Sequence, residues 1–162
     1  ENLLLVHDRT CELEARKQLD FLGAWADPFF VAGNLALIRS EVDLTGDTVV
    51  TSKARPLQGQ SPYVLNLQLG WEALDAGHNV TLLYNVFGRR VVEVGSKGLP
   101  DVYEEPRHVL DLVAGFNLGD ALRLNLRAAN LIDHEVRATA GPVVDTRFRA
   151  GRSFTGTLVW RL

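Results

Sequence analysis

The fold is decided by the stretch Tyr63-Val64-Leu65-Asn66-Leu67-Gln68-Leu69-Gly70-Trp71-Glu72. Every odd-numbered position in it is apolar or aromatic, whereas the even-numbered positions after the first are polar or glycine. Successive side chains of a β-strand point to opposite faces of a sheet. The stretch therefore predicts a strand with one apolar face and one mostly polar face.

The same period of two recurs along the chain, and no window of comparable length fits helical spacing as well. Leu122, Leu124 and Leu126 alternate with polar residues, and the last residues of the chain repeat the pattern. The sequence thus predicts an all-β fold of about eight antiparallel, up-and-down strands. These strands are expected near residues 1–6, 11–18, 29–41, 61–72, 79–92, 107–117, 121–131 and 148–162.

The connections between the predicted strands alternate between short and long. Residues 73–78 and 118–120 form short turns, whereas residues 42–60, 93–106 and 132–147 form long polar connections. The link at 19–28 is the exception, because it is longer than its place in this scheme suggests. If the strands run up and down, every long connection lies at the same end of the sheet.

Alternation alone leaves open whether the apolar face points inward, as in a soluble barrel or sandwich, or outward to lipid, as in an outer-membrane barrel. Three features favour the membrane. The alternating segments are about 9–12 residues long, which suits a tilted bilayer crossing, and the connections alternate in length as periplasmic turns and extracellular loops do. Third, the aromatic residues Tyr63, Trp71 and Phe116 lie near strand ends in the apolar register, where a membrane interface favours them. Trp160 lies in an equivalent place, and Trp25 falls in the 19–28 link.

In the membrane interpretation the polar face lines the lumen of the barrel. The side chains predicted to face this lumen are Asn66, Gln68, Glu72, Arg107, Asp111, Arg123, Asn125, Arg127 and Arg161. They could contact a plug or a ligand route, or they could simply keep the interior wet and bond to one another. The loop charges Asp101, Glu104, Glu105 and Arg107 could meet a ligand, but the expectation is that they form a solvated loop.

Composition excludes several other classes of function. Lys and Arg total 17 against 20 Asp and Glu, so there is no net positive charge to attract nucleic acid. The single cysteine, Cys11, allows neither a disulfide within the chain nor a cysteine-based zinc site. The four histidines lack metal-ligand spacing, and no serine accompanies His108 on its face, so we predict no enzyme, metal or cofactor.

Several stretches resemble late barrel strands of the TonB-dependent outer-membrane receptors. These stretches are Gln58-Gly59-Gln60-Ser61-Pro62-Tyr63-Val64-Leu65-Asn66, Leu83-Tyr84-Asn85-Val86-Phe87-Gly88-Arg89-Arg90, Leu99-Pro100-Asp101-Val102-Tyr103-Glu104-Glu105-Pro106-Arg107 and Asn130-Leu131-Ile132-Asp133. The end of the chain looks like the terminal strand that the barrel assembly machinery reads, although that family usually ends in an aromatic residue. The residues of this assembly signal are Phe154, Gly156, Leu158, Trp160 and Leu162.

The resemblance implies that residues 1–162 are the C-terminal part of a receptor barrel of 22 strands, with the plug domain absent from this chain. The chain begins at Glu1 and contains no methionine, which favours a piece of a longer protein. The implied function is energy-coupled uptake of a large scarce ligand, such as a ferric siderophore, across the bacterial outer membrane. The implied partners are outer-membrane lipid, the rest of the barrel and plug, the barrel assembly machinery and, through the missing N-terminal part, the TonB complex.

Two alternatives stay open at this point. One is a standalone eight-stranded outer-membrane barrel with a structural or adhesion role, since eight strands can close. The other is a soluble β-barrel that binds a small apolar ligand. In a small closed barrel Arg123, Arg127, Asp111 and Glu72 should pair across a narrow core, because unpaired buried charge is costly. In a piece of a larger barrel they would face plug or water.

Overall fold

The computed structural model describes residues 5–43, 49–52, 54–73 and 75–160. Within these ranges the protein is all-β, with two short 3-10 turns, at Asp20–Leu22 and Ala24–Ala26, and no α-helix. The described strands are β1 (Leu5–Gln18), β2 (Phe29–Asp43), β3 (Ala54–Arg55), β4 (Tyr63–Ala73), β5 (His78–Phe87), β6 (Arg90–Glu93), β7 (Val102–Glu104), β8 (Arg107–Leu118), β9 (Leu122–Ala129), β10 (Val136–Ala140), β11 (Val143–Phe148) and β12 (Ser153–Trp160).

Seven long strands form the main sheet in the order β1-β2-β4-β5-β8-β9-β12, and every pairing between them is antiparallel. The short strand β3 adds to β2 at one end. The long strands follow one another in the sheet as they do in the chain, so the predicted all-β, up-and-down antiparallel arrangement is confirmed.

About eight strands were predicted, and the main sheet has eight, of which seven are long and β3 has two residues, but the first two predicted segments were divided wrongly. The segments expected at 1–6 and 11–18 belong to the single strand β1, which pairs with β2 without interruption from Leu5↔Asp43 to Gln18↔Phe30. Residues 7–10 contain no glycine or proline, so nothing breaks the strand there. The 15 residues of β2 supply enough partners for its whole length.

Two other predicted strands were too long. The segment 79–92 divides into β5 and β6, and the segment 148–162 shortens to β12, because residues 149–152 lie outside any strand and Gly151 has a φ of 82°. Such a φ suits glycine and ends regular pairing. Arg161 and Leu162 lie outside the described residues.

The connections at 93–106 and 132–147, predicted as loops, supply three strands of a second sheet, and β6 from the predicted segment 79–92 supplies the fourth. The strands of this sheet lie in the order β11-β10-β7-β6, all paired antiparallel. The connection between β2 and β4 is tied to it, since the backbone N–H of Gly59 donates to the Val91 carbonyl and that of Thr51 donates to the Gly95 carbonyl. The three long connections therefore form one layer at one end of the main sheet, and the short turns lie at the other end.

The main sheet is open in the part of the chain that the structure describes. Its outer strands are β1 and β12, no pairing joins one to the other, and no closed barrel forms. A side chain and its direct antiparallel partner point to the same face. The register consequently assigns every residue of the seven long strands to one of two faces.

Candidate functional site: the polar face of the main sheet

The eight described lumen candidates all lie on one face, which we call the polar face. Gln68 is the direct partner of Leu83, which in turn is the partner of Asp111, so Gln68 and Asp111 share a face. Asn66 lies on the same face, two residues before Gln68 on β4. The same argument extends the face through Glu72↔Asn79 to the last strands. The complete set is Asn66, Gln68, Glu72, Arg107, Asp111, Arg123, Asn125 and Arg127.

Arg123 is the centre of a hydrogen-bond network near the short-turn end of this face. Its guanidinium donates to Asn117 Oδ1 at 2.8 Å, to Asn79 Oδ1 at 2.8 Å and to Asn125 Oδ1 at 3.1 Å. It also donates to the Gly77 carbonyl oxygen at 3.0 Å. Since Arg123 stands on β9, these bonds fasten the β8–β9 hairpin to the turn that precedes β5.

Asp111 joins the polar face to the connection that follows β9. One carboxylate oxygen accepts from Arg127 Nη2 at 2.9 Å, and the other accepts from the backbone N–H of Asn130 at 2.9 Å. Asn130 has a φ of 57°, a left-handed conformation that asparagine tolerates better than most residues. The carboxylate therefore caps a turn as well as pairing with an arginine.

At the β1 edge of the main sheet, a side chain of β1 contributes to the polar face. The guanidinium carbon of Arg16, on β1, lies 3.6 Å from the centroid of the Phe30 ring. Arg16 Nη2 lies 3.3 Å from Glu72 Oε2. Asn85 Nδ2 donates to Asn66 Oδ1 at 2.7 Å in the middle of the face. The charged groups thus bond sideways within one sheet, either to the neighbouring strand or over one intervening strand.

The opposite face carries large apolar side chains that nothing in the described chain covers. The exposed fraction is 48% for Leu69, 73% for Phe154 and 70% for Trp160. Further apolar side chains exposed on this face are Leu13, Val31, Leu37, Leu67, Leu118, Leu126 and Leu158. In a soluble sheet such an apolar face would be buried, whereas here it is exposed.

The predicted interface aromatics all lie on this apolar face. Trp71 and Phe116 stand at its short-turn end, where Phe116 also contacts the ring of His78 at a centroid distance of 5.7 Å. Tyr63 stands at the end that joins the long connections. Trp25, in the link between β1 and β2, is exposed at the short-turn end.

Phe154, Gly156, Leu158 and Trp160, the described residues of the expected assembly signal, share the apolar face of β12. Gly156 pairs with Leu126, and Trp160 pairs with Leu122. The opposite edge of β12 has no partner strand among the described residues.

The expectation of solvated loop carboxylates was wrong for two of them. Asp101 is 4% exposed and accepts from the Gly95 backbone N–H and the Ser52 hydroxyl, each at 2.7 Å. Glu104 is 8% exposed and accepts from Arg90 Nη2 at 2.7 Å. These carboxylates hold the long connections together because their partners come from several parts of that layer.

A small cluster of rings lies where the apolar face meets the long connections. The Tyr84 hydroxyl and His108 Nδ1 are hydrogen-bonded at 2.6 Å, and the ring of His134 lies 5.0 Å from that of His108. Within the described ranges no group of three or more His, Cys, Asp or Glu side chains is placed to hold a metal ion. Cys11 is exposed on β1.

The sequence is matched by no protein-family model, no curated protein and no solved structure. Across the described residues, helices with the length and apolar content to cross a membrane are not found. The two faces of the main sheet are therefore the features from which a function can be inferred.

Sequence reasoning missed several residues that complete the polar face. Arg16, Phe30, Asn79 and Asn117 are all partners in its networks. Asn79 was visible in the alternating pattern as an inward position of β5, and Arg16 as one of three charged residues in alternation on β1. Phe30 had no such signal, because the residues around it are apolar on both faces.

Proposed function

We propose that this chain is the C-terminal barrel segment of a TonB-dependent outer-membrane receptor, which takes up a large scarce ligand such as a ferric siderophore. The observation that carries the proposal is the arrangement of the main sheet: an exposed apolar face on seven long antiparallel strands, with charged and amide groups bonded on the other face. An exposed apolar band with a polar interior is the pattern of outer-membrane barrels.

The lateral bonding of the charges supports a piece of a wide barrel over a small closed one. Arg127 bonds to Asp111 on the neighbouring strand β8, while Glu72 and Arg16 meet over the intervening strand β2. A narrow eight-stranded barrel would instead need pairs across its interior, because side chains fill such a core. In a wide barrel the polar face would line the space occupied by the plug.

The aromatic residues and the connections fit the same orientation. Trp25, Trp71, Phe116 and Trp160 lie at the short-turn end, which in this proposal is the periplasmic interface. The layer formed by the long connections would lie outside the cell. The edge strands β1 and β12 would pair with the missing part of the barrel, because unpaired backbone groups are not stable in lipid.

The test is the mass and location of the native product. An antibody against residues 88–106 is used on fractionated membranes of the source bacterium, and the detected protein is measured by intact mass. We expect a product several-fold larger than 162 residues, in the outer-membrane fraction. A product of this chain's own size in that fraction would favour the standalone barrel, and a product in the soluble fraction would contradict both membrane functions.

Refolding of the isolated chain gives a second test. Because the apolar face and both edge strands are uncovered, we expect aggregation without detergent or lipid. A soluble monomer in buffer alone would argue against the proposal.

A further inference from the structure

A cavity of about 290 Å³ opens where the polar face meets the connection between β9 and β12. It is formed by the first residues of β8, the turn after β9 and the start of β12. Its lining residues are Arg107, Val109, Asn130, His134, Val136, Ala150, Gly151, Arg152 and Ser153. This lining contains two arginines and a histidine but no carboxylate.

Arg107 lines this cavity, and no described acidic side chain balances its charge. Its Nε atom is buried without a hydrogen-bond partner, and its guanidinium forms no ion pair among the described residues. Its nearest aromatic contact is the ring of Phe87, at 5.9 Å from the guanidinium carbon. The guanidinium carbon of Arg90 lies 4.3 Å from the centroid of the same ring, but Arg90 forms an ion pair with Glu104. Of these two cations beside one ring, Arg107 is the one without a partner anion among the described residues.

The second unsatisfied atom of the cavity is Nδ1 of His134, which is buried without a partner. Buried polar atoms without a partner are uncommon in folded proteins, because each costs the full desolvation of its group. Two of them in the lining of one cavity mean that the described residues leave this cavity short of polar partners, which water or a bound solute would supply. A partner of the guanidinium must accept hydrogen bonds, and oxygen atoms with negative charge form the strongest of these bonds.

The carboxylates nearest in sequence to the lining are already engaged. Asp111 bonds to Arg127 and to the Asn130 backbone, and Asp133 accepts from the backbone N–H of Gly151 at 2.9 Å. Glu135 pairs with Arg147 at 2.8 Å. Arg152 uses its Nε to donate to the Leu131 carbonyl and forms no ion pair within the described chain, so the rest of its guanidinium is available.

The turn that shapes the cavity is fixed in place. Asn130 and Asp133 both have left-handed backbone conformations, with φ of 57° and 51°. Asn130 Nδ2 donates to the Gly151 carbonyl at 2.6 Å, which holds the two sides of the connection together. A site built on such a turn is organised before a ligand arrives, which lowers the entropy lost on binding.

We propose that this cavity binds a small oxyanion with two negative charges, of the phosphate or dicarboxylate type, between Arg107 and Arg152. The two guanidinium groups match the two charges, and His134 and the Ser153 hydroxyl supply further polar contacts. The inference does not depend on the chain being a barrel segment, because every lining residue belongs to this chain.

The test is calorimetric titration of the full chain, folded in dodecylmaltoside micelles, with inorganic phosphate and separately with succinate. This detergent and a HEPES buffer contain no phosphate or carboxylate that would compete. We expect saturable binding of at least one of the two anions with one site per chain. Arg107→Gln should weaken it about tenfold or more, because charge-assisted hydrogen bonds are the strong ones.

Three variants separate binding from folding. Arg107→Lys keeps the charge but loses the planar fork, so its affinity should fall between those of the wild type and Arg107→Gln. Arg152→Gln removes an exposed guanidinium together with its bond to the Leu131 carbonyl, and should weaken binding while both sheets stay folded. Arg9→Gln, four strands away on β1, removes the same charge and should bind as the wild type does. Absence of saturable binding for both anions would overturn the proposal, as would unchanged affinity in both Arg107→Gln and Arg152→Gln.

Discussion

The ring of Phe30 occupies the space in front of Gly70. The two residues are direct partners in the β2–β4 register, and Phe30 is only 3% exposed because Arg16 covers its other face. A side chain on residue 70 would overlap the ring itself. The absence of a side chain at 70 is thus what allows an aromatic ring to be buried on the polar face.

This relationship predicts that Gly70→Ala is destabilising. The added methyl group would displace a ring held between β4 and Arg16, at a cost of about 1–3 kcal/mol in the free energy of unfolding. The free energy of unfolding is measured by urea denaturation in dodecylmaltoside, with tryptophan fluorescence as the signal. Gly156→Ala is the matched control, because its methyl group would lie 3.6 Å from Leu126 Cδ2, an ordinary contact. Equal stability of the two variants would mean that the ring moves aside freely.

The two faces of β4 should respond differently to a charge. Leu67 and Gln68 are neighbours on opposite faces in the middle of the strand. If the apolar face meets lipid, Leu67→Arg should cost about 2–4 kcal/mol of insertion free energy, whereas Gln68→Arg should be tolerated. The measurement is the fraction of chain folded into lipid vesicles, read from protease protection. If Gln68→Arg reduced the folded fraction more than Leu67→Arg did, lipid would contact the polar face instead.

The network around Arg123 should contribute measurably to stability. Arg123→Ala leaves Asn79 and Asn117 without their shared donor, so we expect a loss of about 2–3 kcal/mol in the free energy of unfolding. Lys17→Ala is the control, since Lys17 is exposed and its ion pair with Asp20 is 3.7 Å long. That change should stay within about 0.5 kcal/mol of the wild type. If the two variants unfold alike, the network holds no strands together.

The buried carboxylate of Asp101 should control the order of the long connections. Asp101→Ala removes both the bond from Gly95 and the bond from Ser52, whereas Ser52→Ala removes only the second. Trypsin cleavage after Lys97 should be much faster in Asp101→Ala and moderately faster in Ser52→Ala, because local opening exposes the chain. Asp120→Ala, in an exposed turn at the other end, should leave the rate unchanged. Equal rates in all variants would show that Asp101 does not hold this segment.

The main sheet was predictable because a strand has a period of two. The alternation in residues 63–72 and 122–127 fixes which side chains share a face, and the short turns predicted at 73–78 and 118–120 fix the order of the strands. The eight lumen candidates therefore came out on one face without any knowledge of their partners. Whether that face lines a lumen stays a prediction.

The long connections were not predictable for an equally physical reason. The strands β6, β7, β10 and β11 are only three to six residues long, too short for alternation to be recognised. The burial of Asp101 depends on Ser52, which is 49 residues earlier in the chain. The cavity beside Arg107 likewise requires residues from three separate elements. The spacing of residues in the sequence does not predict contacts between segments so far apart in the chain.

The pairing of β7 with β10 has a mechanical consequence. It links the connection before β8 to the connection before β12, and the bonds from Thr51 and Gly59 bring in the third. A force applied to any one of the three connections is transmitted to the other two through these hydrogen bonds, so the three connections should move together. An insertion or a bound molecule at one connection would therefore be felt at the roots of β4, β8 and β12 together.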